Sequence, residues 1–226
     1  MVIGNGLIAK AFDLYKNNKS ILIFASGVSN SLEHRLSEFK REENILLEVM
    51  DKHRSEKFVY FSSCYLNDLK EKGKYLFHKK RMEELVKKQK NFLIFRLPIV
   101  IGNIRNNKGL INHILYKIKK KQELYIYKNL KRNLIGIDDV YYFTNKILLE
   151  NKINNKIINL SSKYSWLVQD IVNEIELILN KKAILKFNDD KIESIEIDLK
   201  DIYSLTIKND LFCEDYHKKV LRKYLK

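Results

Sequence analysis

Two residues of this 226-residue chain, Tyr75 and Lys79, have the types and spacing for acid–base chemistry on a substrate oxygen. Tyr75 and Lys79 stand four apart, so a helix puts both on one face, with the ammonium within reach of the phenol. A neighbouring cation favours phenolate and lowers the tyrosine pKa, which makes the hydroxyl a usable acid or base near neutrality. A serine hydroxyl would hold the substrate oxygen beside it. The spacing alone does not select this pair, because Tyr15/Lys19, Tyr116/Lys120, Tyr127/Lys131 and Tyr142/Lys146 share it. Position does, since only Tyr75 begins the helix that follows a serine-ending strand, "KFVYFSS".

A second constellation lies at the start, "MVIGNGLIAKAF". Gly4, Gly6 and Ala9 fit G-x-G-x-x-G/A, in which the first glycine allows a tight turn. The second lets backbone approach a pyrophosphate, and the small third residue lets helix and strand pack closely.

The elements that must position these residues alternate. "MVIGN" reads as a short buried strand and "LIAKAFDLYKNN" as a helix with Ile8, Ala11, Phe12 and Tyr15 inward. "SILIFASG" is apolar throughout, as strands buried on both faces are. Residues 31–54 form a helical pattern with Leu32, Leu36, Phe39, Leu46, Leu47 and Met50 as its stripe. "KFVYFSS" is a third strand, 75–90 a helix, and "NFLIFRLPIVIGN" a fourth strand running into the single proline, Pro98. Helices over 108–121, through about 150 and over 165–180 alternate with "ELYIY", "RNLIGIDDV" and "KIINLSS". "AILKF", "IESIEIDL" and a basic helix close the chain. This order predicts an α/β fold, a parallel sheet with right-handed crossovers. The strand ends carry Gly4–Gly6, Ala25–Ser26–Gly27, Ser62–Ser63 and Leu97–Pro98, and open α/β sheets bind ligands beyond those ends.

Composition narrows the classes. Hydrophobic residues make up 45%, no apolar run spans a membrane, and no cleavable leader pattern is present, so a soluble cytoplasmic protein is expected. Cys64 and Cys213 lack metal-ligand spacing and the five histidines are scattered, which argues against a metal site. The net charge of +15 is spread as lysine through every segment, without a nucleic-acid-binding signature, and suits an anionic small substrate.

From residue 1 to about 165 the chain resembles the extended short-chain dehydrogenase/reductases, the NAD(P)-dependent epimerase/dehydratase group that modifies nucleotide sugars. "GNGLIA", "FASGVSNS", Asn44 in "EENILLE", "FVYFSS", Tyr75-to-Lys79, "FRLPIVIG" and "RNLIGIDDV" come in family order. The resemblance implies a Rossmann-type sheet with helices on both faces, a cofactor domain over 1–165 and a small substrate region over 166–226. It implies NAD or NADP held by Gly4, Asn5, Gly6, Leu7, Ile8 and Ala9 at the pyrophosphate. Ala25, Ser26 and Gly27 would line the adenosine-side wall with Asn44 behind them. Leu97 and Pro98 would flank the nicotinamide, Lys79 would bind its ribose, and Ser62 would also contact the cofactor. Ser63 and Tyr75 would be catalytic with Lys79, and Arg132 would bind the substrate diphosphate. A homodimer through the helices at 31–54 and 75–90 is implied as well, as is a role in surface polysaccharide synthesis.

The chain departs from the family in one large way. Asn17, Asn18 and Lys19 connect the first helix directly to "SILIFASG", so the family's second and third strands are missing. The acidic residue expected about 20 positions after the glycine turn is missing with them. Two functions follow: an epimerase or reductase acting on a nucleotide-linked sugar, or a nucleotide-binding or partner subunit without redox turnover. Cys64 and Tyr65 beside Ser63, in place of an acidic residue, disfavour dehydration.

Overall fold

The computed structural model describes residues 1–67, 73–103, 109–188, 196–206, 211 and 213–225. The chain forms two compact units, Met1–Leu97 with Ile137–Leu160, and Pro98–Gly136 with Ser161–Lys226. The sequence reading drew one boundary, after residue 165; the chain passes between units three times.

The first unit contains β1 (Val2–Ile3), α1 (Leu7–Ala11), β2 (Ile21–Phe24), α2 (Leu36–Lys52), β3 (Lys57–Ser63), α3 (Lys74–Val86) and β4 (Phe92–Leu97). After an excursion into the second unit it is completed by α5 (Ile137–Glu150) and β9 (Lys156–Asn159). The strands pair in parallel in the order β1-β2-β3-β4-β9. This is the expected Rossmann-type α/β sheet. β1 is an edge strand, as the missing second and third strands require.

Alternation along the strands feeds both faces of the sheet. Leu22, Phe24, Phe58, Tyr60, Phe92 and Ile94 pack against Leu46 and Met50 of α2 and Met82 and Val86 of α3. Phe61 points the other way, to Phe12 beyond α1, which also meets Tyr141 of α5. Each large apolar side chain buried in this way contributes about 1.5–3 kcal/mol.

This arrangement corrects one expectation. The β1–α1–β2 and β2–α2–β3 steps move in the same direction across the sheet, but their helices lie on opposite faces, so they are of opposite hand. The α2 and α3 steps share a hand, leaving α1 as the exception to a uniformly right-handed set. α1 keeps the face it would have in a complete sheet, while the chain turns back to β2 where a further strand would lie beyond β1. The chain after β1 and the chain after β2 therefore still diverge to opposite faces. In open α/β sheets ligands bind at such a switch point, beyond the carboxyl ends of the strands.

Helix bounds also shift. α2 begins at Leu36 rather than near residue 31, and Leu32, Leu36 and Leu47 of the expected inward stripe are exposed.

In the second unit, β5 (Ile99–Ile101) pairs in parallel with β8 (Leu134–Gly136), and β6 (Glu123–Tyr127) with β11 (Ile184–Asn188). β7 (Lys131–Arg132) runs antiparallel to β10 (Trp166–Leu167). α4 (Leu110–Lys119), α6 (Val168–Leu179), α7 (Tyr203–Thr206) and α8 (Tyr216–Leu225) complete it. Arg222 of α8 reaches buried Glu174 of α6 at 2.6 Å, and the Tyr216 hydroxyl accepts from the Gly136 amide at 2.9 Å. Half of the expected strand "IESIEIDL" lies outside the described residues; the other half, 196–199, forms no regular element.

Candidate active site

The glycine turn follows β1. Gly4 has φ +125°, and a Cβ there would stand 2.5 Å from the Ala25 carbonyl oxygen and 3.0 Å from the Ser26 amide. No L side chain fits that conformation or that space, so the ends of β1 and β2 abut because residue 4 is glycine. A Cβ on Gly6 would meet nothing within 4 Å, so the backbone here is open to an approaching group. Asn5 is exposed, Leu7 and Ile8 are half-buried, and Ala9 is buried. These residues fit a pyrophosphate turn.

β3 ends in Ser62 and Ser63, both buried, in register with Arg96 and Leu97 of β4. The Ser62 hydroxyl has no hydrogen-bond partner. Ser63 hydrogen-bonds the Tyr75 phenol, and its Oγ accepts from the Tyr65 amide at 3.3 Å. Burial raises the Tyr75 pKa well above the ordinary tyrosine value; the Glu42 carboxylate and Cys64 add to this, and the Ser63 bond only partly offsets it.

Lys79 departs from its expected role. Its Nζ donates to Glu42 Oε1 and to the Tyr60 hydroxyl, both at 3.0 Å, and lies 6.0 Å from the centre of the Tyr75 ring. The expectation that Lys79 lowers the Tyr75 pKa is not met, because its charge is spent on Glu42.

Glu42 is the centre of this cluster. Its side chain is fully buried. Oε1 accepts from Lys79 and, at 2.7 Å, from Tyr60; Oε2 accepts from the Val28 amide at 2.6 Å and His78 Nε2 at 2.9 Å. Burial by itself would raise this carboxyl, but Lys79, His78, Tyr60 and the Val28 amide outweigh it and hold the group far below the usual carboxylate range. The His78 ring stacks at 4.7 Å on Phe39.

The cluster also redefines Gly27. A Cβ there would stand 2.7 Å from Lys79 Nζ and 3.0 Å from Glu42 Oε1, so this glycine makes room for the ion pair. Ser26 is covered by Arg41, whose guanidinium donates to its hydroxyl and carbonyl at 3.3 Å. Asn44, expected behind this segment, is exposed; Glu42, two positions earlier, takes the buried place. A signal for it existed. Phe39, Glu42, Leu46 and Met50 recur at i, i+3, i+7 and i+11, which puts a carboxylate in the buried stripe.

Leu97 and Pro98 are buried, the first in unit one and the second in unit two. Arg132 is half-buried on β7 of the second unit and donates to the Lys131 carbonyl.

For a dinucleotide, the residues present fit in part. The glycine turn suits a pyrophosphate. Lys79 gives two of its three ammonium donors to buried acceptors, Glu42 and Tyr60, which leaves one for a ribose hydroxyl. Among the described residues, no group of three or more His, Cys, Asp or Glu could hold a metal ion, and no helix is long and apolar enough to cross a membrane.

No protein-family model and no curated protein matches the sequence. Solved structures do. UDP-N-acetylglucosamine 4-epimerase from Methanobrevibacter ruminantium, in complex with UDP-N-acetylmuramic acid, aligns over 99% of this chain and 81% of its own, with TM-score 0.69 and 16% identity. The Bordetella bronchiseptica enzyme WbmH, in complex with NAD+, aligns over 99% and 81%, with TM-score 0.72 and 14% identity. RMD from Pseudomonas aeruginosa, complexed with NADPH, aligns over 99% and 86%, with TM-score 0.71 and 15% identity. The fold is that of the nucleotide-sugar epimerases and dehydratases. Within this epimerase/dehydratase fold, Ser63 and Tyr75 meet beyond the third strand, on the same side of the sheet as the glycine turn.

Proposed function

We propose that this chain is an NAD(P)-dependent epimerase or reductase acting on a nucleotide-linked sugar. The observation that carries this reading is the divergence of the chain to opposite faces at the ends of β1 and β2. Although the sheet lacks two strands, the chain still diverges to opposite faces after β1 and β2, with Gly4 against Ala25 and open backbone at Gly6. The similar structures solved with NAD+, NADPH or a nucleotide sugar support it. In this reading Gly4, Asn5, Gly6, Leu7, Ile8 and Ala9 hold the pyrophosphate. Ser63 holds the sugar oxygen and Tyr75 exchanges a proton with it, while Arg132 binds the substrate diphosphate through a bidentate guanidinium. The bound dinucleotide supplies or accepts the hydride. Residues 1–165 serve the cofactor and 166–226 the substrate. Dimerisation through α2 and α3, a cytoplasmic location and a part in surface polysaccharide synthesis belong to the same proposal.

A second reading is favoured by one observation. The Lys79–Glu42 pair removes the cation that a redox site of this kind would use, which suits a nucleotide-binding or partner subunit without turnover. Equilibrium titration with NADH and NADPH, read by nicotinamide fluorescence, decides between them. Micromolar binding with turnover of a nucleotide sugar supports the enzyme; binding without turnover, or no binding up to millimolar, overturns it and leaves the nucleotide-binding or partner subunit.

A further inference from the structure

We propose that this chain recognises only the nicotinamide mononucleotide half of its cofactor: the dinucleotide is held as far as the pyrophosphate, and its adenosine is left without a reader. This deepens the proposed function by naming the cofactor chemistry of the site, and it rests on the reading of Gly4 to Ala9 as a pyrophosphate turn.

A complete open sheet of this kind has two βαβαβ halves, one on each side of the switch point, and each half holds one mononucleotide. Here the switch point lies between β1 and β2. On one side stand β2, β3, β4 and β9; on the other, among the described residues, stands β1, two residues long. The serines that end β3 and the leucine that ends β4 belong to the complete side, to which the nicotinamide is assigned. The half that would hold adenosine is reduced to one short edge.

The path of the chain fixes that loss. α1 is five residues long and a single tight helical turn over Asp13–Tyr15 follows it. The Asn18 side chain then accepts from the Ser20 and Ile21 amides at 2.9 and 2.8 Å, which delivers the backbone straight into β2. Reading the adenine ribose takes a carboxylate about 20 residues after the glycine turn, and reading a 2′-phosphate takes a cation nearby. Between Gly6 and Gly27 the one acidic residue is Asp13, and it pairs with Lys16 at the other end of α1 from the glycine turn. Beside the end of β2, Arg41 is tied to the Ser26 hydroxyl and carbonyl at 3.3 Å and lies 3.4 Å from Glu38, so its charge already has a carboxylate. NADH and NADPH differ only by the phosphate on that ribose, so this chain has no means of telling them apart.

The test is equilibrium titration of the full chain with NADH, NADPH and reduced nicotinamide mononucleotide, each followed by its own fluorescence, and with AMP as competitor. Salt of about 0.15 M screens the general attraction of a +15 chain for the extra phosphate. NADH and NADPH are expected to bind within about threefold of each other and the mononucleotide within about tenfold of NADH, with no displacement by millimolar AMP. A charge-assisted hydrogen bond to the ribose is worth on the order of tenfold to a hundredfold in affinity. A difference between NADH and NADPH beyond about tenfold therefore overturns the proposal, as does displacement by AMP or mononucleotide binding weaker than NADH by more than about a hundredfold. Gly6→Val ties the binding to this turn. Residue 6 has φ −78° and a Cβ there meets nothing within 4 Å, so the variant is expected to fold, with circular dichroism unchanged. Its side chain stands where phosphate approaches, and it should weaken NADH and the mononucleotide alike by at least about tenfold. Unchanged mononucleotide binding in the folded variant overturns the proposal; if the variant does not fold, the wild-type ratios decide. Failure of all three ligands to bind overturns the proposed function as well, whereas NADH binding without mononucleotide binding overturns this inference alone.

Discussion

In the proposed function the Tyr75 phenol, beside Ser63, exchanges a proton with the substrate. Tyr75→Phe is therefore expected to abolish turnover of nucleotide sugars while leaving thermal unfolding within a few degrees of wild type, as measured by coupled nicotinamide absorbance and calorimetry. A variant that kept more than about one per cent of activity would exceed what general acid catalysis, worth roughly 10²–10⁴-fold, allows for this role. Gly4 works by absence. At φ +125° and 2.5 Å from a backbone oxygen, an alanine Cβ strains the turn and collides with a neighbour that cannot yield. Gly4→Ala should cost about 1–3 kcal/mol or more in urea unfolding, and should weaken NADH binding with it.

At the scale of elements, α2 is joined to β3 and α3 through one carboxylate. Glu42→Ala leaves Lys79 buried and unpaired and is expected to destabilise the protein by about 3–5 kcal/mol, read by chemical denaturation at pH 7. The pH dependence has a definite sign. The folded pKa of Glu42 lies below its unfolded value of 4.5, so its contribution is fully present above pH 4.5 and is lost as pH falls below it. Stability measured down that range should fall less steeply in Glu42→Gln than in wild type. An equal slope in the two proteins would mean that the carboxylate carries no such linkage.

At the scale of the molecule, α2 and α3 present an outward seam. Leu36 and Leu47 on α2 and Phe77 on α3 are 44–66% exposed, and Arg81 bridges to Glu43 between them at 2.5 Å. An apolar seam closed by an ion pair suits a second copy of the same two helices, an isologous contact in which each residue meets its symmetry counterpart. Light scattering at micromolar concentration should give twice the monomer mass, and Phe77→Asp should return it to the monomer. A monomeric wild type would remove this assembly.

Periodicity and small residues made much of this legible in the sequence. Apolar runs located the buried strands, because a parallel strand covered on both faces has no polar positions. Gly4 and Gly6 marked the turn because few other residues could occupy it, and Ser63 with Tyr75 were found because a strand end and a helix start are both written locally. Asn17 to Lys19 revealed the missing strands by leaving no length for them. What tertiary structure alone decided was which polar groups face one another. Asn44 and Glu42 lie two positions apart on one helix and so face nearly opposite ways; periodicity puts Glu42 in the buried stripe, but only the packed fold shows that it meets Lys79. The hand of the α1 step was likewise undetermined, since it depends on the face against which Phe12 packs. The pairing of Lys79 with Glu42 joins two helices far apart in sequence; electrostatics acts through space, and only the packed fold sets that distance.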